Sequence, residues 1–222
     1  MTGKSMSLRD PAAAHPAPRL LLFPASLRQN SHQRRLIDYC SAAIGASCRI
    51  DILAPEQVNL PLFNQDLERT PAVLGHVAAL RDRFAAADGL IVSSPEYNGH
   101  VSPYLKNTID WISRLARIDP DNAGPDPFQD KPLLLASAST GWTGGILGLR
   151  DARTLFSYLG CLVSADQICV SDAGRWSEDG QFRFEPGFTA YIEQALSNFI
   201  RIAGALRNPA AGNTGVQNGY GD

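Results

Sequence analysis

The segment that most constrains the fold runs from Ser93 to Arg114 and reads SSPEYNGHVSPYLKNTIDWISR. A short apolar run at residues 90–92 leads into a Pro-Glu-Tyr-Asn-Gly turn, and an amphipathic stretch begins near Ser102. This order predicts a strand, a polar loop and a helix. Because ligands of open α/β sheets bind at the carboxyl ends of the strands, the loop is the first place to expect a site.

The alternation of apolar runs and amphipathic stretches continues along the chain from residue 19. Continuous apolar runs, typical of parallel strands buried on both faces, predict five strands, at residues 19–25, 48–53, 89–93, 131–138 and 168–170. Five amphipathic stretches follow them and predict helices, the first capped by Ser31 and ended at Gly45. The pattern predicts an α/β fold, a doubly wound five-stranded parallel sheet with helices on both faces.

Polar residues concentrate in three of the loops between these elements. The loops span residues 24–31, 95–101 and 137–145 and are rich in Ser, Asn, Gly and Arg. With the strand order 2-1-3-4-5, strands 1, 3 and 4 are neighbours, so their carboxyl-end loops share one rim of the sheet. We therefore expect the binding site at this rim.

The first loop, PASLRQNSHQ, has the chemistry of an anion site. It places Ser26, Arg28, Asn30 and Ser31 between a strand and a helix N-terminus, where free backbone N–H groups and the helix dipole favour negative charge. Arg28 adds a charged hydrogen-bond donor. The alternative is that Ser31 is only a helix cap and Arg28 only a surface residue.

These loops resemble those of the NAD(P)H-dependent FMN reductases. PEYNGHVSPYLKNTIDW is similar to the family's flavin-contacting loop, a PEYNGS-type turn followed by LKNxIDW. The first loop resembles the phosphate loop G-S-L-R-x-x-S-x-N, with Ala25 in place of the glycine and Gln33 in place of the asparagine. The third loop is similar to the S-x-G-x-x-G-G turn, and LPLFNQDLE at residues 60–68 to LPLYNxDLE. The resemblance extends over residues 19–170.

The resemblance implies a flavodoxin-like fold with FMN bound across the three loops. The residues assigned to the cofactor are Ser26, Arg28, Asn30, Ser31, Gln33, Pro95, Glu96, Tyr97, Asn98, Gly99, Ser137, Ser139, Gly141, Gly144 and Gly145. Ala25 is expected to restrict the backbone where the family's glycine lets it approach a phosphate. Glycines of the third loop also have a purely steric explanation, which stays open.

The resemblance also implies an oxidoreductase that passes hydride from NAD(P)H through flavin N5 to a quinone, flavin, azo compound or similar acceptor by a ping-pong mechanism. The flavin carries that chemistry, so no catalytic side chain is expected. Two alternatives stay open: a flavodoxin-type electron carrier, and a fold relative with weakened flavin binding and a regulatory role.

A homodimer or homotetramer is implied as well, since these reductases generally complete the flavin site across a subunit interface. Locally, the connections at residues 54–70 and 117–130 are long for an α/β domain. They contain Leu60, Leu62, Phe63 and Phe128, apolar side chains that a lone domain is expected to leave partly exposed.

Composition limits location and partners. The formal net charge of -2 argues against a nucleic-acid surface, and the apolar run at residues 20–23 is too short for a signal segment or a membrane span. We expect a cytoplasmic protein with no nucleic-acid or membrane partner. Four cysteines without a C-x-x-C pair and four histidines without ligand spacing predict no metal site. Residues 1–18 and 207–222 are predicted to be flexible tails around one FMN-binding domain, residues 19–206.

Overall fold

The computed structural model describes residues 17–120 and 124–207. The two predicted tails, 1–18 and 207–222, lie outside these ranges except for Ala17, Pro18 and Arg207. The strands and helices are β1 Arg19–Pro24, α1 His32–Ile44, β2 Arg49–Ile52, α2 Pro71–Ala86, β3 Gly89–Ser93, α3 Pro103–Ile118, β4 Pro132–Ala138, α4 Ile146–Tyr158, β5 Leu162–Val170, β6 Ser177–Glu178, β7 Gln181–Phe182 and α5 Pro186–Leu206.

The central sheet has five parallel strands in the order β2-β1-β3-β4-β5, which confirms the predicted flavodoxin-like topology. The register aligns the ends of β1 and β3 and sets them beside the last part of β4. Pro24 of β1 pairs with Ser93 of β3, and Ser93 pairs with Ala136 of β4. The loops after β1 and β3 therefore start at one level, and β4 extends two residues further, to Ala138, along the same rim.

Helices cover both faces of the sheet because side chains alternate between the faces along each strand. On one face Leu20 and Leu22 of β1 pack in a core with α1 and α5. On the other face Leu21 and Phe23 pack in a core with α2, α3 and α4. Both faces of β1, β3 and β4 are buried, as their continuous apolar sequences predicted.

Two features at the edge of the sheet differ from the prediction. Strand β5 begins at Leu162, six residues before the predicted start at Ile168, and its pairing with β4 shifts register between Leu133 and Leu135. A two-stranded antiparallel hairpin, β6–β7, was not predicted. It packs on α1, where Arg35 Nη1 donates a hydrogen bond of 2.7 Å to Ser177 Oγ.

Of the four apolar residues in the long connections that were expected to stay partly exposed, one is buried and three are partly or largely exposed. Phe128 is buried in the core, and Leu60 and Phe63 pack against a cluster that contains Trp111. Leu60 and Phe63 are only partly buried, and Leu62 has 81% of its surface exposed. The expectation of partial exposure is therefore wrong for Phe128 and confirmed for the other three residues. Among the described residues, no helix is both long enough and apolar enough to cross a membrane.

Candidate functional site

A cavity of about 130 Å³ lies at the carboxyl ends of β1, β3 and β4. Its lining residues come from the loops after these strands and from the start of α1: Ser26, Arg28, Ser31, His32, Gln33, Pro95, Glu96, Tyr97, Ala138, Ser139 and Thr140. A larger hollow of about 230 Å³ lies between the end of α1 and α5. Because that hollow lies away from the strand ends and their loops, the rim cavity is the candidate site.

Polar groups of the first loop are grouped around the start of α1. Ser31 caps the helix, and its Oγ accepts a hydrogen bond of 3.1 Å from the Arg34 backbone N–H. Ser26 is buried beside it, and its Oγ accepts a bond of 3.4 Å from the Arg28 N–H. Ser31 is therefore both a cap and part of the cavity wall. Two hydroxyls, a guanidinium and a helix N-terminus make this wall suitable for an anion.

Ala25 does not restrict this loop in the way that the sequence suggested. Its N–H donates to Ser93 O at 2.7 Å, and its methyl group is fully buried in the core with Leu21 and Phe23. The residue is not among the positions with positive φ, so a glycine is not required here for backbone reasons. The expectation that its side chain limits the approach of a phosphate is corrected.

Gln33 lines the cavity, but its amide is held by the sheet. Its Oε1 accepts hydrogen bonds from Ser93 Oγ at 2.7 Å and from the Ala138 N–H at 3.2 Å. Its Nε2 donates to Ala138 O at 2.6 Å. The side chain thus joins α1 to the ends of β3 and β4, and its main role in this geometry is to position the helix that carries the first loop.

The second loop is a tight two-residue hairpin. Tyr97 and His100 exchange two backbone hydrogen bonds of 3.0 Å, and Asn98 and Gly99 between them have φ values of 54° and 77°. Two consecutive positive φ angles are typical of a type I′ turn, for which Asn-Gly is the preferred pair. Neither turn residue lines the cavity, whereas Tyr97 does, with half of its surface exposed.

Hydrogen bonds fix this hairpin to the elements on either side. Ser102 caps α3 by accepting from the Leu105 N–H at 3.1 Å, and its Oγ donates to Ala25 O at 2.8 Å. On the other side, Glu96 Oε2 accepts a bond of 3.0 Å from the Gly148 N–H in the first turn of α4. The second loop is therefore held between the first loop and α4.

The glycines of the third loop allow this close packing. Gly145 caps α4 with a φ of 86°, and a side chain there would collide with Ser137 Oγ. At Gly148 a Cβ atom would lie 3.0 Å from His100 O. Gly144 has a φ of 64° and lies against the end of β5. The steric explanation therefore accounts for these glycines, and Gly141, Gly144 and Gly145 do not line the cavity.

Ser139 and Thr140 form the part of the third loop that faces the cavity. Ser139 Oγ accepts a hydrogen bond of 3.1 Å from the Gly141 N–H. Ser137 is buried, and its Oγ has no hydrogen-bond partner within the described residues. Asn30, which was also predicted to bind the cofactor, does not line the cavity and lies on an exposed turn of the first loop.

Sequence reasoning missed three lining residues: His32, Ala138 and Thr140. Ala138 and Thr140 flank Ser139 in the predicted loop, and that position could have indicated that they line the cavity. His32 directly follows the helix cap Ser31, and that position was the signal for it. Burial lowers the pKa of His32 below its ordinary value, and the positive charges of Arg35 and Arg28 lower it further.

Comparison with protein families places most of this chain in one known group. Residues 18–174, which include all five sheet strands and the three rim loops, match the family model for NADPH-dependent FMN reductases. The quinone reductase of Escherichia coli (strain K12) is 32% identical over 138 residues, which are 62% of this chain and 69% of that protein. The NAD(P)H-dependent FMN reductase of Pseudomonas aeruginosa is 31% identical over 172 residues, 72% of this chain and 85% of that protein.

Solved structures agree on the fold. The flavoenzyme NAD(P)H:(acceptor) oxidoreductase of Paracoccus denitrificans superposes with a TM-score of 0.69. The match covers 85% of this chain and 98% of that chain at 21% sequence identity. The likeness lies in the arrangement of the sheet and its helices.

Proposed function

The chain belongs to the NADPH-dependent FMN reductase family, and on that basis we propose that it passes hydride from NAD(P)H through FMN to a quinone or a similar acceptor. The FMN-binding unit is the domain at residues 19–206. The observation that carries the proposal is the convergence of three strand-end loops on one cavity. An anion-suited wall at the start of α1 and the half-exposed ring of Tyr97 line that same cavity.

The residues present fit a flavin mononucleotide. The phosphate would be held by Ser26, Arg28, Ser31 and the N-terminus of α1, where hydroxyls and a guanidinium can bind its oxygens. Ser137 Oγ, buried and without a partner among the residues described, is a further polar atom beneath the third loop. The ring system would lie beside Pro95, Tyr97 and the Ser139–Thr140 segment.

Bound FMN would supply the redox chemistry, by accepting hydride at N5 and returning it to the acceptor. The side chains of the protein bind and orient. Gln33, Ser102 and Glu96 hold the three loops in place, because each joins one loop or helix to its neighbour by hydrogen bonds. The open side of the cavity would admit NAD(P)H first and the acceptor afterwards, which is the basis for a ping-pong order.

The test begins with the purified protein. We expect the purified protein to show flavin absorbance and to release FMN on denaturation. The flavin absorbance of the native protein should be lost when NADPH or NADH is added without oxygen. Protein that binds FMN without oxidising either nucleotide would instead be an electron carrier. Protein that binds no FMN would contradict the proposal and favour a regulatory role.

The kinetic order has its own test. Initial rates measured with varied NAD(P)H at several fixed concentrations of a benzoquinone should give parallel double-reciprocal lines. Intersecting lines would contradict ping-pong order while leaving the reductase activity intact. The same assay, repeated with free FMN and an azo dye, ranks the acceptors by kcat/KM.

The proposal includes assembly and location. A homodimer or homotetramer is supported by the family relationship and by exposed apolar side chains around the cavity, among them Leu27, Tyr97 and Trp142. A cytoplasmic location is supported by the nature of the electron donor, NAD(P)H. Fractionation of the source cells with an antibody against the protein tests the location.

A further inference from the structure

A close pair of titratable side chains, His100 and Asp151, lies beside the second loop. His100 Nδ1 is 2.6 Å from Asp151 Oδ2, so the contact joins the residue after the Asn-Gly turn to α4, and it is an ion pair when the ring is protonated. Oδ2 is buried and has no hydrogen-bond partner among the residues described, so the imidazole is the group that can balance its charge. Oδ1 accepts hydrogen bonds of 3.3 and 3.4 Å from the Arg150 guanidinium. The carboxylate is therefore held on both sides.

The hairpin places the His100 ring on the same side as the ring of Tyr97. The two residues face each other across the two-residue turn and exchange both backbone hydrogen bonds. Residues paired in this way project from one face of the hairpin, with Cα atoms about 5.5 Å apart. Tyr97 lines the cavity and His100 does not. His100 therefore stands at the margin of the cavity, next to the side on which the flavin ring would lie.

One nitrogen of this ring stays available. The His100 side chain exposes 74% of its surface and the Asp151 side chain 25%. Because Nδ1 faces the carboxylate, Nε2 is the nitrogen that a ligand or water can reach. Glu96, the acidic residue of the cavity wall, already uses Oε2 to accept the Gly148 N–H. His100 is thus the better placed of the two to give a proton to a ligand beside Tyr97.

A quinone needs a proton as well as a hydride. The hydride returned from FMN converts it to a hydroquinone monoanion, and one proton on the anionic oxygen completes the hydroquinone. We propose that His100 donates this proton and that Asp151 is its positioning residue. The Nε2–H bond of the imidazolium breaks, the O–H bond forms, and the neutral ring regains a proton from solvent. This inference rests on the proposed function and concerns the step with the acceptor.

The experiment isolates that step. Enzyme reduced without oxygen by one equivalent of NADPH is mixed rapidly with 1,4-naphthoquinone or with ferricyanide, and the return of flavin absorbance gives the rate. Ferricyanide takes electrons and binds no proton, so the ratio of the two rates reports on the proton donor. A change in the fold or in flavin binding would alter both rates together.

His100→Ala should lower the quinone rate about a hundredfold relative to the ferricyanide rate, the lower end of the range for general acid catalysis. Asp151→Ala leaves the imidazole in place without its carboxylate and should lower the same ratio about tenfold. His76→Gln is the control. It replaces a histidine of α2 that contacts the Gln57 carbonyl and should keep the wild-type ratio.

Added imidazole tests the proton itself. In His100→Ala the ring leaves a space that is open to solvent, so free imidazole can occupy it. We expect saturating imidazole to raise the quinone rate of this variant about tenfold and to leave its ferricyanide rate unchanged. Wild type should not respond.

Two outcomes overturn the inference. One is a quinone rate for His100→Ala equal to that of wild type. The other is an equal loss of rate with both acceptors, which would mean that the ring acts on the fold or on the flavin. Wild-type protein whose flavin is not reduced by NADPH would contradict the proposed function, and this inference would fail with it.

A second measurement needs neither cofactor nor acceptor. The histidine ring nitrogens of ¹⁵N-labelled apoprotein are observed by NMR at about pH 9, well above an ordinary histidine pKa. The signals that are absent from His100→Ala belong to His100. We expect its proton on Nδ1 in wild type, facing Asp151, and on Nε2 in Asp151→Ala. A proton on Nε2 in both proteins would contradict the positioning role of Asp151.

Discussion

At the cavity, side chains differ in whether the protein itself already satisfies their polar groups. The polar groups of Gln33 and Ser102 form hydrogen bonds within the protein. Gln33 joins α1 to β3 and β4, and Ser102 joins α3 to the first loop. Arg28 lines the cavity from an exposed position on the first loop. This difference separates residues that shape the site from residues that can contact a ligand.

Arg28→Ala should weaken FMN binding and leave riboflavin binding unchanged. A hydrogen bond to a charged group contributes about 1.5–3 kcal/mol, which corresponds to a loss of about tenfold to a hundredfold in FMN affinity. Titration of apoprotein with each flavin measures the two effects. Arg34→Ala is the matched control, since Arg34 lies on α1 in an exposed pair with Asp38. An equal loss for both flavins would show that Arg28 does not act on the phosphate.

Gln33→Leu should lower stability by about 2–4 kcal/mol, because the buried hydroxyl of Ser93 and both backbone groups of Ala138 lose their partner. Urea unfolding monitored by circular dichroism measures the change. Gln194→Leu replaces an exposed glutamine of α5 and should stay within about 0.5 kcal/mol of wild type. Similar unfolding midpoints for the two variants would contradict the bridging role of Gln33.

Side-chain direction explains why the residues of the site were predicted only in part. The motif letters of the first loop located Ser26, Arg28 and Ser31 correctly in the cavity wall. They could not indicate that Ala25 turns its methyl into the core or that the Gln33 amide reaches two strand ends. Both facts depend on how helix and sheet meet, which is tertiary information.

Between elements, the closest packing near the site is the contact of α4 with the second loop. Glu96 bonds the helix start, and Gly148 leaves no room for a side chain beside His100 O. This contact sets the position of the hairpin whose Tyr97 lines the cavity. Its loss should therefore be visible both in stability and in ligand affinity.

Gly148→Ala should destabilise the protein by about 1–3 kcal/mol through overpacking, and should lower FMN affinity. Gly204→Ala supplies the control, because a Cβ there meets nothing within 4 Å in α5. Alanine has the better helix propensity at both positions, so the control should be neutral or stabilised by up to about 1 kcal/mol. Unfolding midpoints measure the stability of both variants, and FMN titrations measure their affinity. If both variants gain stability alike, the close contact does not hold the loop.

Strong local signals explain which elements could be predicted. The buried strands and the cap residues Ser31 and Gly45 have patterns set by neighbours in the chain, and their predicted positions are confirmed. The hairpin β6–β7 has only two residues in each strand, too few to show a period of two. Strand β5 lies at the sheet edge, and its outer part is only partly buried, so it lacks the continuous apolar run of the central strands.

For the whole molecule, the feature that bears on assembly is a group of exposed apolar side chains on the cavity side. Leu27, Tyr97 and Trp142 of the three loops and Ile146 and Leu147 of α4 each expose more than two fifths of their surface. Exposed apolar groups that are contiguous commonly mark protein contacts. The group is larger than the set of partly exposed apolar residues in the long connections, Leu60, Leu62 and Phe63, so it is the surface proposed for assembly.

Light scattering should give a mass of two or four times the 24.0 kDa of one chain. Leu147→Asp places a charge within the exposed apolar group and should shift the protein toward the mass of a single chain. Leu62→Asp is the control. It places the same charge at an exposed leucine of the 54–70 connection and should leave the mass unchanged. A wild-type mass of 24.0 kDa at micromolar concentration would contradict the proposed assembly.

The hydrogen bonds of Gln33 relate the length of one side chain to the distance between helix α1 and the strand ends. Its amide reaches from α1 to Ser93 and Ala138, so the two methylenes of its stem measure the gap between helix and strand ends. An asparagine at this position would shorten that reach by about one bond length, ~1.5 Å. A chain with asparagine can keep the same bridge only if α1 lies correspondingly closer to the sheet. Helix placement and this one residue must therefore change together as such proteins diverge.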